Sequence, residues 1–308
     1  MGFFLEVLIG GLLAGVLYSL VALGFVLIFK ASGVFNFAQG AMVLTAALAL
    51  VRALEVLQDE WHWPFGLALA GAFLFAAVVM AIIAWAAERL VLRKLVNQEG
   101  IILFMATIGV TFFIEGLAQT VFGADVYPLH IGLPKEPVFI LESLFDGGIL
   151  VNELDVWAAV IAGLLVAGLA LFFQKTRIGR ALRAVADDHA AAQSVGIPLN
   201  QIWFIVWLVA GLVALAAGAV WGSKLGVQFS LSLLALKALP VLILGGFTSV
   251  PGAIVGGLII GAGEKLAEVF LGPSMGGGIE IWFAYVVALL FLLVRPQGLF
   301  GERIIERV

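Results

Sequence analysis

Residues 202–222 read IWFIVWLVAGLVALAAGAVWG, 21 positions with no charged side chain and no proline. At about 1.5 Å of rise per residue a helix of this length reaches about 30 Å, the thickness of a bilayer's hydrocarbon core. Gly211, Ala214 and Gly218 fall on one face of that helix, where small side chains let a neighbour approach closely. Residues 3–29 and 66–87 are comparable runs on the N-terminal side. A β-barrel would instead show short alternating strands. The fold class is therefore all-α, a polytopic helical membrane protein.

The composition agrees. Of 308 residues, 63% are hydrophobic and only 12% charged, about half the charge of an ordinary soluble domain. A net charge of -4 argues against nucleic acid, which requires a basic face. The absence of cysteine excludes thiolate metal sites and disulfides, and the three histidines, His62, His130 and His189, show no ligand spacing. No metal site and no catalytic residue is expected. The chain lacks GxxxxGK[ST], HExxH and GxSxG, and no pair of intramembrane aspartates suggests a protease. The N-terminal run has no preceding Lys or Arg and is too long for a signal-peptide core, so it reads as the first membrane helix.

Orientation follows from the basic residues, which mark cytoplasmic loops. Lys30, Arg89, Arg93, Lys94, Lys175, Arg177, Arg180, Arg183, Arg295, Arg303 and Arg307 can all share one side, eleven of the 16 Lys and Arg. That places residues 123–155 on the opposite side, as a solvated external loop with several acidic residues and with Pro128, Pro134 and Pro137 as breakers. Arg52, Lys135, Lys224 and Lys265 then fall outside, and Lys237 falls within the membrane.

Two stretches interrupt the apolar pattern at depth: residues 36–40, NFAQG, and residues 245–252, GGFTSVPG. Irregular backbone inside a bilayer survives only where protein or a watery cavity satisfies its peptide groups, so both point to a substrate path. Asn36, Gln39, Gly245, Gly246 and Ser249 are the path residues read from them. The chain then has about eight membrane segments with two broken or re-entrant stretches. Their corresponding positions in the two halves suggest an inverted repeat. Thr111, Glu115 and Gln119 follow at i, i+4 and i+8 and form a polar stripe that must avoid lipid, facing either a neighbouring helix through hydrogen bonds or the path, and the second reading adds them to the path residues. Lys237 is expected to snorkel to the outer interface, and Glu264, Lys265 and Glu268 to form a solvated rim. The pairs Gly11 with Gly15, Gly252 with Gly256 and Gly257 with Gly261 are GxxxG spacings, expected to pack helices within one subunit.

Between the apolar runs lies a polar island, residues 174–200. Residues 179–195 form an Ala-rich helix without proline, ended by Gly196 at the position after its last residue, with Pro198 beyond and Asn200 placed to cap the next helix. Arg177, Arg180 and Arg183 would suit anionic lipid, but Asp187 and Asp188 would not, and mixed charge suits a protein socket.

The run RALRAV at residues 180–185, followed by Gly196 and Ile197, resembles the cytoplasmic coupling segment of ABC-importer permeases of the high-affinity branched-chain amino acid type, the LivH family. FNFAQG at 35–40, GGFTSVPGA at 245–253 and RPQGLFG at 295–301 resemble the same family, and together they cover nearly the whole chain. The family often has His at the position of Gln39 and Gly at that of Thr248. The resemblance implies a single permease domain over residues 1–308, with 174–200 as the cytoplasmic coupling segment and 123–155 as a periplasmic loop. It implies that Arg180, Arg183, Asp187, Asp188 and Gly196 lie in the coupling segment. It implies a multi-pass protein of the bacterial inner membrane that is not itself an enzyme and holds no cofactor. ATP would act on two cytoplasmic ATPase subunits; a second permease subunit would complete the path, and a periplasmic binding protein would deliver a small-molecule substrate. The competing reading is an ion-coupled transporter or channel that works without an ATPase, with Glu115 as the ion-linked group.

Overall fold

The structure is a computed structural model and describes residues 2–95, 98–140, 148–187 and 189–301. Helix α1 (Gly2–Ser32) is followed by α2 (Gln39–Glu55), which continues as a π-helical turn (Val56–Glu60). Helix α3 (Phe65–Ala86) likewise runs on through a π-helical turn (Ala87–Val91) and a 3-10 turn (Leu92–Lys94), and α4 (Gly100–Phe122) follows. Strands β1 (Pro137–Ile140) and β2 (Ile149–Asn152) pair antiparallel, Pro137 opposite Asn152. Then come α5 (Glu153–Lys175), α6 (Arg177–Asp187), α7 (His189–Ser194) and α8 (Leu199–Leu225). The chain ends with α9 (Leu234–Gly245), α10 (Val250–Met275) and α11 (Ile279–Val294).

Among the described residues six helices are long and apolar enough to cross a membrane, and the pair Phe229–Gly245 and Val250–Met275, bent by 113°, brings the number to seven if it is one span. This is fewer than the eight segments read from the sequence. The bent pair counts once, and α11 has only 16 residues, about 24 Å. Of the two interruptions, residues 245–249 lie within the bent pair, whereas residues 33–38 connect two helices that are each long enough to span.

Two compact units divide the chain. One comprises Leu23–Ile131 and Ala167–Ala235. In it α2 is wrapped by α3, α4 and α8, and every residue from Gln39 to Val51 is buried. Small residues bring α8 against α2: a Cβ on Gly218 would stand 2.6 Å from the Val43 carbonyl oxygen, and one on Gly211 would meet Met80 and Met42. Helices α3 and α4 turn the other way, exposing Leu74, Ile82, Phe112 and Phe113 as lipid-facing helices do.

The other unit comprises Met1–Ala22, Gly132–Val166 and Leu236–Val308. Here α1 and α10 run antiparallel through their glycines: Gly11 abuts Gly261, and Gly15 abuts Gly257. The GxxxG spacings serve packing within this chain, as expected. Part of the hairpin is buried, Ile149 and Val151 alternating with exposed Leu150 and Asn152, so the loop read as merely solvated carries a strand pair. Asn200 does not cap α8. That helix begins at Leu199 with Pro198 before it, and Asn200 already sits in its first turn.

Candidate functional site

The first interruption is held by buried side chains. Gly33 turns the chain with φ +68°, and Asn36 and Gln39 are fully buried. The Asn36 side-chain oxygen accepts from the Ala38 N–H at 3.1 Å, an Asx turn that organises the start of α2. Thr107 on α4 is buried and reaches the same backbone: its hydroxyl donates to the Phe35 carbonyl at 3.1 Å and accepts from the Phe37 N–H at 3.4 Å. Gln39 projects its amide to the Ala210 carbonyl at 3.4 Å while its Oε1 has no partner. Gly24 on α1 lies so close to that amide that a Cβ there would overlap it. Gly24 is eight residues before the end of α1, so α2 starts about 12 Å back along that helix.

Thr107, Thr111, Glu115 and Gln119 form one stripe on α4. The sequence reading found the last three, and the same four-residue spacing extended one turn back would have found Thr107. The Thr111 hydroxyl donates to its own helix at the Thr107 carbonyl, and Glu115 is buried. Gln119 lines a cavity of about 310 Å³ with Leu44, Leu48, Asp125, Gln228 and Phe229. Asn36 and Gln39 thus share the larger unit with the whole stripe.

Gly245, Gly246 and Ser249 belong to the other unit. Gly246 has φ +101°, and the Ser249 hydroxyl accepts from the Gly252 N–H at 3.0 Å, capping α10. Gly245 and Gly252 touch backbone to backbone across the bend. The RPQGLFG stretch closes on it: Leu299 N–H donates to the Leu244 carbonyl at 2.8 Å and Phe300 N–H to the Gly245 carbonyl at 3.1 Å. Two of the stretches singled out in the sequence are therefore one structure.

In the polar island, α6 is amphipathic. Leu182 and Val185 are buried, and Arg177 and Arg180 are exposed. It is docked on the end of α5 by Thr176, whose hydroxyl donates to the Phe172 carbonyl at 2.6 Å and accepts from the Gly179 N–H at 2.9 Å. Arg183 donates to the Phe173 carbonyl, so its guanidinium is engaged within the chain, while the Arg180 side chain is exposed and has no partner among the described residues. Gly196 has φ +86°; its N–H donates to the Gln193 carbonyl and Ile197 N–H to the Ala192 carbonyl, both at 3.0 Å, the double closure expected of a glycine-ended helix. Asp188 and the Asp187 side chain lie outside the described residues.

A polar cluster missed in the sequence joins α1, α9 and α10. Lys237 Nζ lies 3.4 Å from the Tyr18 hydroxyl and 3.9 Å from Glu264 Oε2. Glu264 is buried rather than part of a solvated rim, because the glycine contacts draw α1 over α10. Lys237 turns to these partners instead of snorkelling outward. Lys265 does meet the rim expectation, pairing with Glu280 at 3.2 Å where both are exposed.

Helices of spanning length, backbone breaks sealed by the chain's own side chains and termini, and polar groups gathered where lipid would reject them define a multi-pass membrane permease. The chain belongs to the family described as branched-chain amino acid transport system / permease component, matched over residues 7–295. It is 26% identical to the high-affinity branched-chain amino acid transport system permease protein LivH of Escherichia coli K12, over 99% of this chain and 98% of that protein. It is 28% identical to the permease protein BraD of Pseudomonas aeruginosa, again over 99% and 98%. A more distant relative is the fructose import permease protein FruG of Bifidobacterium longum, 24% identical over 74% of this chain and 67% of that one.

Proposed function

We propose that this chain is the membrane-spanning subunit of an ATP-driven importer for branched-chain or related amino acids in the bacterial cytoplasmic membrane. The observation that carries the reading is the end-to-end similarity to LivH and BraD, two permeases named for such systems. In this reading a second permease subunit completes the path, two cytoplasmic ATPase subunits bind nucleotide, and a periplasmic protein delivers the substrate across the loop at residues 123–155. The chain itself performs no chemistry and holds no cofactor. Asn36, Gln39, Thr111, Glu115 and Gln119, with Gly245, Gly246 and Ser249, line the path.

The coupling segment is residues 174–200. Its exposed face, with Ile178, Arg180 and Val195, suits an ATPase socket, and its attachment to α5 through Thr176, Gly179 and Arg183 lets a push on α6 pass to a spanning helix. Nucleotide and binding protein then each bias one of two conformations of the path. The test is to co-purify the chain with its cytoplasmic partners, reconstitute it in liposomes, and measure ATP-dependent uptake of leucine and of fructose. Leucine uptake that requires ATP and the binding protein supports the reading. Uptake by the isolated chain on an ion gradient would replace it with the ion-coupled transporter, and uptake of fructose alone would replace the substrate class.

A further inference from the structure

Tyr18 from α1, Lys237 from α9 and Glu264 from α10 converge inside one compact unit, within helices that cross the membrane. Their exposures differ sharply: the Glu264 side chain is 4% exposed and that of Lys237 34%. An ammonium has three N–H donors. Lys237 gives one to the Tyr18 hydroxyl and stands 3.9 Å from the Glu264 carboxylate, beyond hydrogen-bond distance. Among the described residues its other donors have no hydrogen-bond partner, and its side chain is one-third exposed. An ammonium facing hydrocarbon is costly, so ionisable groups at depth face a protein interior or a watery cavity. Glu264 and the Tyr18 ring, 5.6 Å from Nζ, hold the cation in place and compensate it.

We infer that Lys237 binds the carboxylate of the transported solute, with Tyr18 and Glu264 as positioning residues. The inference rests on the amino acid reading above, since it is the carboxylate of an amino acid that would take the donors of Lys237 not used by Tyr18, with Glu264 still in place beside them. Lys237 is eight residues, about 12 Å, from the Gly245 end of α9. That end is held by the turn after Arg295, on the side marked cytoplasmic by the basic residues, so Lys237 lies about 12 Å in from that side, near the middle of a core about 30 Å thick, where a crossing solute must pass.

The experiment uses the assembled complex in liposomes, with leucine as the probe and two double variants. In K237Q/E264Q both charges are gone, a change that a purely structural ion pair tolerates. In K237E/E264K the pair is kept but the exposed member becomes an anion. Both variants are expected to assemble with the partner subunits, and both to take up leucine at least tenfold more slowly than the unaltered complex. Leucine uptake within twofold of the unaltered complex in either variant would overturn the site. Should K237Q/E264Q fail to assemble, K237E/E264K alone decides, because it preserves the pair. An unaltered complex that imports fructose and no leucine would instead overturn the amino acid reading, leaving a different result from failure of the site.

Discussion

Thr107→Val is expected to loosen the first interruption without changing the shape of its surroundings. Valine replaces the hydroxyl by a methyl group, so no cavity forms. What is lost is the hydroxyl that donates to the Phe35 carbonyl and accepts from the Phe37 N–H. The hydroxyl's single proton is shared between the Phe35 carbonyl and the nearer Phe104 carbonyl of α4 at 2.8 Å, so the irregular segment loses part of that bond and the acceptor for the Phe37 N–H. A buried polar group left unsatisfied costs about 1–3 kcal/mol, and with a shared proton to Phe35 and a 3.4 Å contact to Phe37 the total stays within about 1–3 kcal/mol. Thr107→Ser keeps the hydroxyl and loses only a methyl, about 1 kcal/mol. The assay is thermal unfolding in detergent at a fixed scan rate, followed by the fluorescence of the eight tryptophans. Thr107→Val should melt several degrees below Thr107→Ser. If the serine variant melts at or below the valine variant, the methyl matters and the hydroxyl does not, and the account of how residues 33–38 are held is refuted.

Gly15→Val should block the approach of α1 to α10, since any Cβ there meets the Gly257 backbone, whereas Gly10→Ala has open space; the yield of monodisperse protein should collapse for the first and stay unchanged for the second. Gly24→Ala should displace the Gln39 amide from the Ala210 carbonyl and lower the melting temperature, and Gly24→Ala with Gln39→Ala should recover most of that loss, which a double-mutant cycle reads as coupling. Arg180→Glu, at an exposed position, should leave folding intact and cut uptake per ATP hydrolysed by tenfold or more. Arg183→Gln should instead lower stability by about 1–3 kcal/mol by freeing the Phe173 carbonyl, seen as a lower melting temperature of the isolated subunit.

Much of the fold was legible because lipid imposes length. Each run of about 20 apolar residues became a helix, the paired glycines became contacts, and Gly196 ended its helix with the geometry its position implied. The interruptions were legible too, since Asn36, Gln39 and Ser249 carry hydrogen-bonding groups that apolar helices do not need. The failures have a common cause in contacts that are distant in sequence. Glu264 reads as rim because it stands beside Lys265 and four residues before Glu268, and only the closeness of α1 buries it. Lys237 reads as a snorkelling residue until Tyr18, more than 200 residues earlier, supplies its partner. The hairpin escaped because each strand has four residues, too few to show a period among prolines and charges. Asn200 was assigned a cap from its residue type, but Pro198 had already set the start of α8 two positions earlier.

A backbone interrupted at membrane depth must find partners within the protein, and the two interruptions find theirs in different helices. At the bend after α9, the carbonyls of Leu244 and Gly245 are taken up by Leu299 and Phe300, which directly follow α11. The fit is possible only between glycines: a Cβ on Gly246 would stand 2.8 Å from the Gly301 nitrogen, and one on Gly298 2.6 Å from the Gly246 nitrogen. The bend is therefore tied to the end of α11, and neither can shift without breaking these hydrogen bonds. At residues 33–38 the backbone is met by the Thr107 hydroxyl of α4, and the Phe35 and Phe37 rings pack on Phe25 and Phe104. These are side-chain contacts, whereas the bend is held by two backbone bonds and a glycine contact. A displacement of α4 against α2 is thus expected to disturb the first interruption more than the second. Under the proposed transport function, the Asn36 and Gln39 segment is then the one expected to change shape, and the Gly245 bend the one expected to hold.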